Sequence, residues 1–211
     1  MDNIQTKKVE MIKYGVIAEA KNLTPGISGN MSARLDDKRI LITSSGSANG
    51  YLSEDDFSVI DYDGNFVDGN KKPSSEKLLH CEFYKIRPDV DYILHMHCPY
   101  LSSFASAGIA LDEPVMAENI FYFGKIPLAE YALPSSYELV EKTSKYFKEY
   151  DAVLMANHGF IVGEKTIQQA FYKLTLAESY AQVVFITKLL GGAKLLNQKQ
   201  TEEILNLRKK L

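Results

Sequence analysis

Apolar side chains recur every three or four residues through the first part of the chain. Between residues 5 and 23 they lie along one stripe, which is the pattern of an amphipathic helix. The tripeptide Thr24-Pro25-Gly26 breaks this pattern and is expected to end the helix. The residues that follow, 26–32, are small, polar and rich in glycine, so we expect a loop there.

Short runs of β-branched and apolar residues predict strands further along the chain. Residues 92–97 are apolar apart from two histidines, which is typical of a largely buried strand. The turn Asp63-Gly64-Asn65 predicts a hairpin, because these residues tolerate positive φ. Asn157-His158-Gly159 separates a second pair of strands. The predicted strands are residues 39–43, 57–61, 92–97, 152–156 and 160–162.

Helical patterns return in four later segments. One opens at Pro73-Ser74-Ser75-Glu76, where a serine is placed to cap the helix, and Pro88 stops it. The other three are predicted at residues 99–107, 166–190 and 198–210. Strands and helices alternate without a Pro/Ser linker, a repeat or a low-complexity segment, so we expect a single domain over residues 1–211.

Composition then narrows the class of protein. Hydrophobic residues make up 45% of the 211 positions, enough to bury a core, so extensive disorder is excluded. The net charge of -3 offers no basic surplus to attract a nucleic-acid backbone. No apolar run approaches the roughly 20 residues of a membrane span, and the first residues lack the pattern of a signal peptide. We therefore expect a soluble, cytoplasmic protein that binds neither nucleic acid nor membrane.

The two cysteines, Cys81 and Cys98, are far apart in the chain and form no C-x-x-C pair. This spacing fits buried free thiols in a reducing compartment better than a disulfide.

Three of the four histidines form a candidate metal site. His95 and His97 are two positions apart in a predicted strand, so both imidazoles leave the same face and can converge on one ion. His158, in the turn between two strands, is the natural third ligand. Three imidazoles suit Zn²⁺ and neighbouring divalent metals and leave a position open for substrate. The alternative is that His95 and His97 are simply hydrogen-bonded within the sheet.

Glu76 and His80 lie four positions apart on one predicted helix. An acidic residue in a first helical turn interacts favourably with the helix dipole, which by itself explains many such glutamates. The combination of Glu76 with the histidine strand and two small-residue loops nevertheless favours a site. His80 could face that site, but we expect it to pack in the helix or lie on the surface.

Two loops and one helix start are candidates for binding an anion. Residues 26–32 and 44–50 are rich in glycine and serine, and Ser74-Ser75 precede a helix, so backbone N–H groups and hydroxyls are plentiful. Neither loop matches G-x-G-x-x-G or G-x-x-x-x-G-K-[ST], which leaves nucleotide binding without local support. The alternative is that these segments are ordinary turns.

Five motifs follow one another along the chain: Gly26-Ile27-Ser28-Gly29-Asn30-Met31-Ser32, Ile42-Thr43-Ser44-Ser45-Gly46, Pro73-Ser74-Ser75-Glu76, His95-Met96-His97 and Asn157-His158-Gly159-Phe160. In this order and at these separations they resemble the class II aldolase/adducin family, over roughly residues 8–190. The resemblance implies a three-layer α/β/α fold with a central, mainly antiparallel sheet. It also implies a homotetramer whose active sites lie near subunit interfaces.

The resemblance further implies one divalent metal per subunit, with zinc the first choice and manganese or cobalt as alternatives. His95, His97 and His158 would hold it, and Glu76 would join them when no substrate is bound. Glu76 would also act as the catalytic acid and base. The residues that would hold a substrate phosphate are Gly29, Asn30, Ser45, Gly46, Ser74 and Ser75.

A glutamate at position 76, where epimerases of the family carry aspartate, favours aldol cleavage. The expected reaction splits a ketose 1-phosphate reversibly into dihydroxyacetone phosphate and a short aldehyde, and the expected substrates are a 5-deoxypentulose 1-phosphate or L-fuculose 1-phosphate. Alternatives on the same scaffold are a pentulose-phosphate 4-epimerase and a methylthioribulose-1-phosphate dehydratase. A non-enzymatic, adducin-like interaction module is the alternative of another class.

The chain departs from the family pattern in its tyrosines. Glu118 aligns with the loop tyrosine that protonates the aldehyde oxygen from a neighbouring subunit, and residues 206–211 contain no tyrosine. From these departures we expect the leaving aldehyde to be short and apolar at its end.

Overall fold

The described part of the chain, residues 3–210, contains eight strands, seven α-helices and two three-residue 3₁₀ helices (Asn49–Tyr51 and Glu54–Asp56) in the computed structural model. Met1, Asp2 and Leu211, at the ends of the predicted 1–211 domain, lie outside the described residues. The strands are β1 (Asn30–Arg34), β2 (Arg39–Thr43), β3 (Phe57–Asp61), β4 (Phe66–Gly69), β5 (Tyr92–Met96), β6 (Leu128–Ala129), β7 (Ala152–Met155) and β8 (Gly159–Glu164). The helices are α1 (Asn3–Ala20), α2 (Lys77–Ile86), α3 (Pro99–Ser106), α4 (Ala117–Phe123), α5 (Tyr137–Ser144), α6 (Ile167–Leu189) and α7 (Gln198–Arg208).

All eight strands belong to one sheet with the order β4-β3-β2-β1-β5-β8-β7-β6. Every neighbouring pair is antiparallel except β6 and β7, which are parallel. The expected mainly antiparallel α/β architecture is therefore confirmed. Strands that are distant in sequence, β1 and β5, meet at the centre of the sheet, and the first histidine of the candidate site lies on the second of them.

Helices cover both faces of the sheet because side chains alternate across each strand. On what we call the three-helix face, α1, α3 and α6 pack against sheet residues that include Met31, Ala33 and Leu94. On the two-helix face, α2 and α5 pack against Ile93 and Ile161, among others. Two separate apolar clusters result, one on each side of the sheet, which gives three layers.

The expected loop over residues 26–32 is wrong in its second half, because Asn30 begins strand β1. Asn30 pairs with His95 and Ser32 pairs with Ile93 across the β1–β5 ladder. Both polar side chains are buried on the two-helix face, where an apolar residue would signal a strand. The hydrophobic pattern therefore does not reveal this strand.

The start of α2 also differs from the expectation. Its N-cap residue is Glu76, whose side chain makes no capping hydrogen bond, and neither serine caps the helix. The hydroxyl of Ser74 instead accepts the backbone N–H of Glu76 at 3.2 Å. Glu76 is thus free of a capping role, and its carboxylate is available to the candidate site.

The other predicted elements occur within a few residues of their expected bounds, and three short ones were not expected. These are helices α4 and α5 and the two-residue strand β6. Both cysteines are free and buried, as expected. Within residues 3–210, none of the helices combines the length and the apolar character that crossing a bilayer demands.

Candidate active site

A cavity of about 280 Å³ lies beside the ends of β1, β2 and β5. This volume is at the small end of the range for ligand pockets, about 300–1,000 Å³. Glu76, His97 and His158 line it, and His95 lies fully buried beside them. The cavity lining also includes all six residues expected to hold a phosphate: Gly29, Asn30, Ser45, Gly46, Ser74 and Ser75. The structure thus brings together the residues that the sequence nominated as metal ligands, as the catalytic acid and base and as the phosphate site.

The three imidazoles converge because of the strand order. His95 is the fourth residue of β5, His97 follows just after the strand ends, and His158 precedes the adjacent strand β8. Their ring centroids are 4.8 to 5.0 Å apart. The potential ligand atoms of the three residues all lie within 4.8 Å of one another. Asn157 adopts a left-handed backbone, φ 54°, which allows the tight turn that presents His158.

The carboxylate of Glu76 reaches into the centre of this histidine group. Its Oε2 lies 3.1 Å from His95 Nε2, and its Oε1 lies 3.1 Å from His158 Nε2. The side chain of Asn30 donates a hydrogen bond from Nδ2 to Oε2 at 2.9 Å. Burial alone would raise the pKa of Glu76, but the charge of His95 and the hydrogen bonds from both histidines outweigh burial and hold that pKa well below its usual range. Glu76 is therefore an ionised carboxylate.

The donor set fits a divalent cation. His95 Nδ1 donates its proton to the Phe160 carbonyl at 3.0 Å. Without a metal, Nε2 carries the proton that faces Glu76, and a cation that displaced this proton would find the Nε2 lone pair directed into the site. His97 Nε2 lies only 3.0 Å from that atom. Burial, together with the charges of His95 and His158, lowers the pKa of His97 to about 3, so this imidazole is in the neutral form that binds metals. Nitrogen lone pairs this close to each other and to a carboxylate are stabilised by a shared cation.

Two glycines shape the loops on the opposite side of the cavity. Gly29 has a φ of 74°, and a Cβ there would lie 2.4 Å from the His95 carbonyl oxygen. The loop can therefore approach β5 only with glycine at this position. Gly46 has a φ of 77°, and a Cβ there would meet no atom within 4 Å. Glycine is favoured at position 46 by the positive φ alone, and this backbone conformation turns the 44–47 loop toward the cavity.

Some polar groups of these loops are already used within the protein. The backbone N–H of Ser45 donates a hydrogen bond to the Lys72 carbonyl, and the backbone N–H of Ser74 donates one to the Thr43 carbonyl. These two residues therefore offer a ligand their hydroxyls rather than their N–H groups. No Lys or Arg lines the cavity among residues 3–210. An anion bound here would rely on neutral donors and on a cation held by the histidines.

One part of the cavity wall lies outside the motifs described above. Pro134 and Ser135, just before α5, line it opposite Ser75 and Glu76. Ser135 has a left-handed backbone with φ 66°, which is uncommon for a residue other than glycine. Residues 134–136 repeat the Pro-Ser-Ser sequence of residues 73–75, and this repetition is a signal that could have revealed them.

His80 and Glu118 both lie outside the cavity lining within residues 3–210. His80 is fully buried on α2, so a surface position is wrong and a packed position is confirmed. It does not belong to the group of potential metal ligands among the described residues. Glu118 lies exposed on α4 and is absent from the part of the cavity lining that residues 3–210 provide.

The family model for the Class II Aldolase and Adducin N-terminal domain matches residues 9–185. The chain is 32% identical over 203 residues to a 5-deoxy-D-ribulose 1-phosphate aldolase of Bacillus thuringiensis serovar kurstaki, covering 95% of this chain and 94% of that protein. It is 33% identical over 201 residues to a 3-oxo-tetronate 4-phosphate decarboxylase of Haemophilus influenzae, covering 93% of each. Among solved structures, an L-fuculose 1-phosphate aldolase superimposes with a TM-score of 0.89 at 31% identity, covering 96% of this chain and 95% of that one.

Proposed function

The chain belongs to the class II aldolase and adducin family, and from this premise we propose that it cleaves a ketose 1-phosphate reversibly into dihydroxyacetone phosphate and a short aldehyde. It is a metal-dependent lyase by family and by its aldolase-named relatives. The observation that carries the proposal is the convergence of three imidazoles and one ionised carboxylate at one side of a cavity bordered by glycine and serine loops. An adducin-like interaction module would have no use for this arrangement.

His95, His97 and His158 would hold the divalent metal, and Glu76 would be a further ligand in the absence of substrate. Zinc is the proposed metal, with manganese and cobalt as alternatives, because imidazole ligands accept all three. When bound, the metal supplies Lewis-acid stabilisation of the negative charge that develops as the C3–C4 bond of the ketose breaks. The Phe160 carbonyl keeps His95 in the tautomer that this role needs.

Glu76 would transfer the proton. In the cleavage direction the C4 hydroxyl loses its proton as the C3–C4 bond breaks, and Glu76, once it has taken up a proton, delivers one to C3 of the ene-diolate. In the synthetic direction Glu76 removes that proton from dihydroxyacetone phosphate. The hydrogen bond from Asn30 and the neighbouring histidines favour its ionised form, which is the form required of a base. Acid–base contributions of this kind are typically about 10²–10⁴-fold in rate.

The phosphate would lie against the loops on the other side of the cavity. Gly29, Gly46 and Ser75 offer backbone N–H groups, and Ser45, Ser74 and Ser75 offer hydroxyls. The side chain of Asn30 has a second N–H left after its bond to Glu76, and this proton can point into the cavity that Asn30 lines. Small residues at these positions leave room for the phosphate oxygens to reach the backbone.

The same ene-diolate would also form if a 3-oxo acid with a 2-hydroxyl and a 4-phosphate lost carbon dioxide. Aldol cleavage and this decarboxylation therefore differ in the group that leaves, which is an aldehyde in the first and carbon dioxide in the second. Such a substrate carries a carboxylate in addition to its phosphate. Because no Lys or Arg from residues 3–210 lines the cavity, nothing in that part of the wall pairs with the second anion. A neutral aldehyde is the better match for this wall.

The deciding experiment is a product assay with purified protein and a panel of phosphorylated substrates. We expect dihydroxyacetone phosphate and an aldehyde in equal amounts, with the highest kcat/KM for a 5-deoxypentulose 1-phosphate or L-fuculose 1-phosphate. A chelator should abolish turnover, whereas borohydride should trap no substrate on a lysine. Carbon dioxide from a 3-oxo-tetronate 4-phosphate, epimerisation of a pentulose phosphate, or loss of water from methylthioribulose 1-phosphate at a higher kcat/KM would reject the aldolase proposal.

We further propose that residues 1–211 act as one domain, that four copies assemble with active sites near their interfaces, and that the protein is cytoplasmic. The single sheet supports one domain, and the two free cysteines support a cytoplasmic location. Light scattering coupled to gel filtration would measure the assembly, with a mass near four times 23.7 kDa expected. Elemental analysis of protein purified without added metal would identify the ion.

A further inference from the structure

A continuous path of hydrogen bonds runs from the interior of the two-helix face to the candidate active site. The hydroxyl of Tyr84 lies 2.9 Å from Ser32 Oγ, which lies 2.7 Å from His80 Nδ1. His80 Nε2 lies 2.5 Å from Asn30 Oδ1. Asn30 then donates from Nδ2 to Glu76 Oε2 at 2.9 Å. Helix α2 and strand β1 supply all the members of this path before Glu76.

The direction of each hydrogen bond follows from the chemistry of the groups. Asn30 Oδ1 can only accept, so His80 Nε2 must carry the proton. A neutral imidazole with its proton on Nε2 has an acceptor at Nδ1, which receives the hydroxyl proton of Ser32. Burial and the charge of His95 lower the pKa of His80 to about 3, so the imidazole is neutral. Tyr84 donates in turn to Ser32 rather than to the more distant Asp91 carbonyl at 3.4 Å.

The two ends of an asparagine side chain have nearly the same shape, so packing alone does not choose between them. If the Asn30 amide were turned by half a rotation, its carbonyl oxygen would face Glu76 Oε2 at about the distance now occupied by Nδ2. Two acceptors would then oppose each other in a buried site, which is unfavourable. The orientation is therefore selected from both ends: by the Glu76 carboxylate, which can only accept, and by His80 Nε2, which donates to Oδ1.

We propose that His80 is a positioning residue that fixes the amide of Asn30 so that Nδ2 faces Glu76 and the cavity. This inference rests on the proposed function, since it assigns His80 a part in presenting the proposed acid–base residue. With the amide held in this orientation, one N–H supports the carboxylate and the second is directed toward the proposed phosphate region. His80 is fully buried and Asn30 is 6% exposed, so water cannot substitute for the imidazole.

The test compares three variants of residues on α2. His80→Leu removes the donor to Asn30, whereas His80→Gln keeps an N–H at the position of Nε2. Phe83→Leu is the matched control, because Phe83 is equally buried on α2 but contacts Phe147 rather than this path. We expect His80→Leu to lower kcat by about 10–100-fold, the usual range for a residue that orients a group in the site. The two other variants should stay within about threefold of the wild-type kcat. His80→Gln keeps an N–H that donates to Asn30, and Phe83 makes no hydrogen bond to Asn30 that its substitution could remove.

A second readout does not depend on turnover. In metal-free protein labelled with ¹⁵N-asparagine, the side-chain NH₂ signals of Asn30 can be assigned by their loss in Asn30→Asp. We expect His80→Leu to shift these signals and to speed the exchange of their protons, whereas His80→Gln and Phe83→Leu leave them near the wild-type positions. If His80→Leu does not fold, Ser32→Ala takes its place, with a smaller shift expected because His80 loses only its acceptor interaction.

The outcomes are separable from those of the proposed function. Unchanged Asn30 signals in His80→Leu, or an equal loss of kcat in Phe83→Leu, would overturn the positioning role. A protein that cleaves no ketose 1-phosphate but shows the expected changes in the Asn30 signals would reject the proposed reaction and retain the role of His80 in orienting Asn30.

Discussion

The two faces of strand β1 are equally buried and are held in different ways. On the three-helix face, Met31 and Ala33 have no exposed surface and lie in an apolar cluster. On the two-helix face, Ser32 is also fully buried, yet it and Asn30 contact polar partners on and next to α2 through hydrogen bonds. Apolar packing is non-directional and tolerates changes of shape, whereas a buried hydrogen bond fixes an orientation. One strand therefore supplies stability on one side and orientation of the site on the other.

The largest effect is expected at Glu76, where the hydrogen-bonded path on the two-helix face ends. Glu76→Gln should lower kcat by about 10²–10⁴-fold, because the amide cannot transfer the proton. The three histidines are unchanged in this variant, so it should stay folded and still bind the metal when metal is in excess, although it lacks the carboxylate ligand of the substrate-free site. Steady-state kinetics with elemental analysis would measure both. Near-normal turnover in this variant would remove Glu76 from the chemistry.

A substitution on the three-helix face of β1 should change the free energy of unfolding and leave kcat unaltered. Met31→Ala creates a cavity in a fully buried position and should lower the free energy of unfolding by about 2–5 kcal/mol. Met31 points away from the cavity, so kcat of the folded fraction should not change. Urea denaturation followed by circular dichroism, with kinetics at a temperature where the variant is folded, would separate the two quantities. A large loss of kcat would show that the two faces are less independent than their contacts indicate.

Ser32→Ala should change both quantities by smaller amounts. It leaves His80 Nδ1 without its donor, which should lower the free energy of unfolding by about 1–3 kcal/mol and kcat by less than His80→Leu does. Ser102→Ala is the matched control, since the buried hydroxyl of Ser102 has no hydrogen-bond partner among the described residues. This control should be neutral in a denaturation experiment. Equal losses in both serine variants would mean that the hydrogen bonds of Ser32 contribute little.

The smallest effect concerns a polar cluster nearer to water. Asp56 accepts hydrogen bonds from Ser53, Ser47 and Lys71 beside the 44–47 loop. Burial would raise its pKa, but the bonds from Lys71 and Ser53 outweigh burial and lower that pKa. Because Lys71 is half exposed and its charge is screened, Asp56→Asn should cost only about 1 kcal/mol at neutral pH.

The pH dependence of this cost has a definite sign. A carboxylate whose pKa is lowered by folding stabilises the protein above its unfolded pKa of about 4, and the stabilisation decreases as the pH falls. The difference in unfolding free energy between wild type and Asp56→Asn should therefore shrink on acidification below that value. Denaturation curves measured at several pH values would show it. A difference that grows in acid would contradict the assigned role of the Asp56 carboxylate.

The sequence predicted the metal side of the site more completely than its supporting structure. His95 and His97 can be predicted as ligands because their spacing coincides with a strand pattern. Glu76 can be predicted because it lies at the start of a helix. His80 was left without a role, since nothing in the chain shows that it meets Asn30, 50 residues away. The first residues of strand β1, 30–32, fall within the loop that the sequence predicts, because the buried residues on one face of this strand are polar. Periodicity detects burial only where the buried residues are apolar.

By itself, the sequence determined which residue types are present and which local elements form, because propensity, capping and periodicity act over a few neighbours. That was enough to nominate three histidines, a glutamate and two glycine-rich loops. Only the tertiary structure decided which of these groups meet and in what orientation. The antiparallel pairing of β1 with β5 sets Asn30 opposite His95, and the packing of α2 on that face completes the path to Glu76. Such contacts join residues far apart in the chain, so they depend on strand order and helix placement rather than on local pattern.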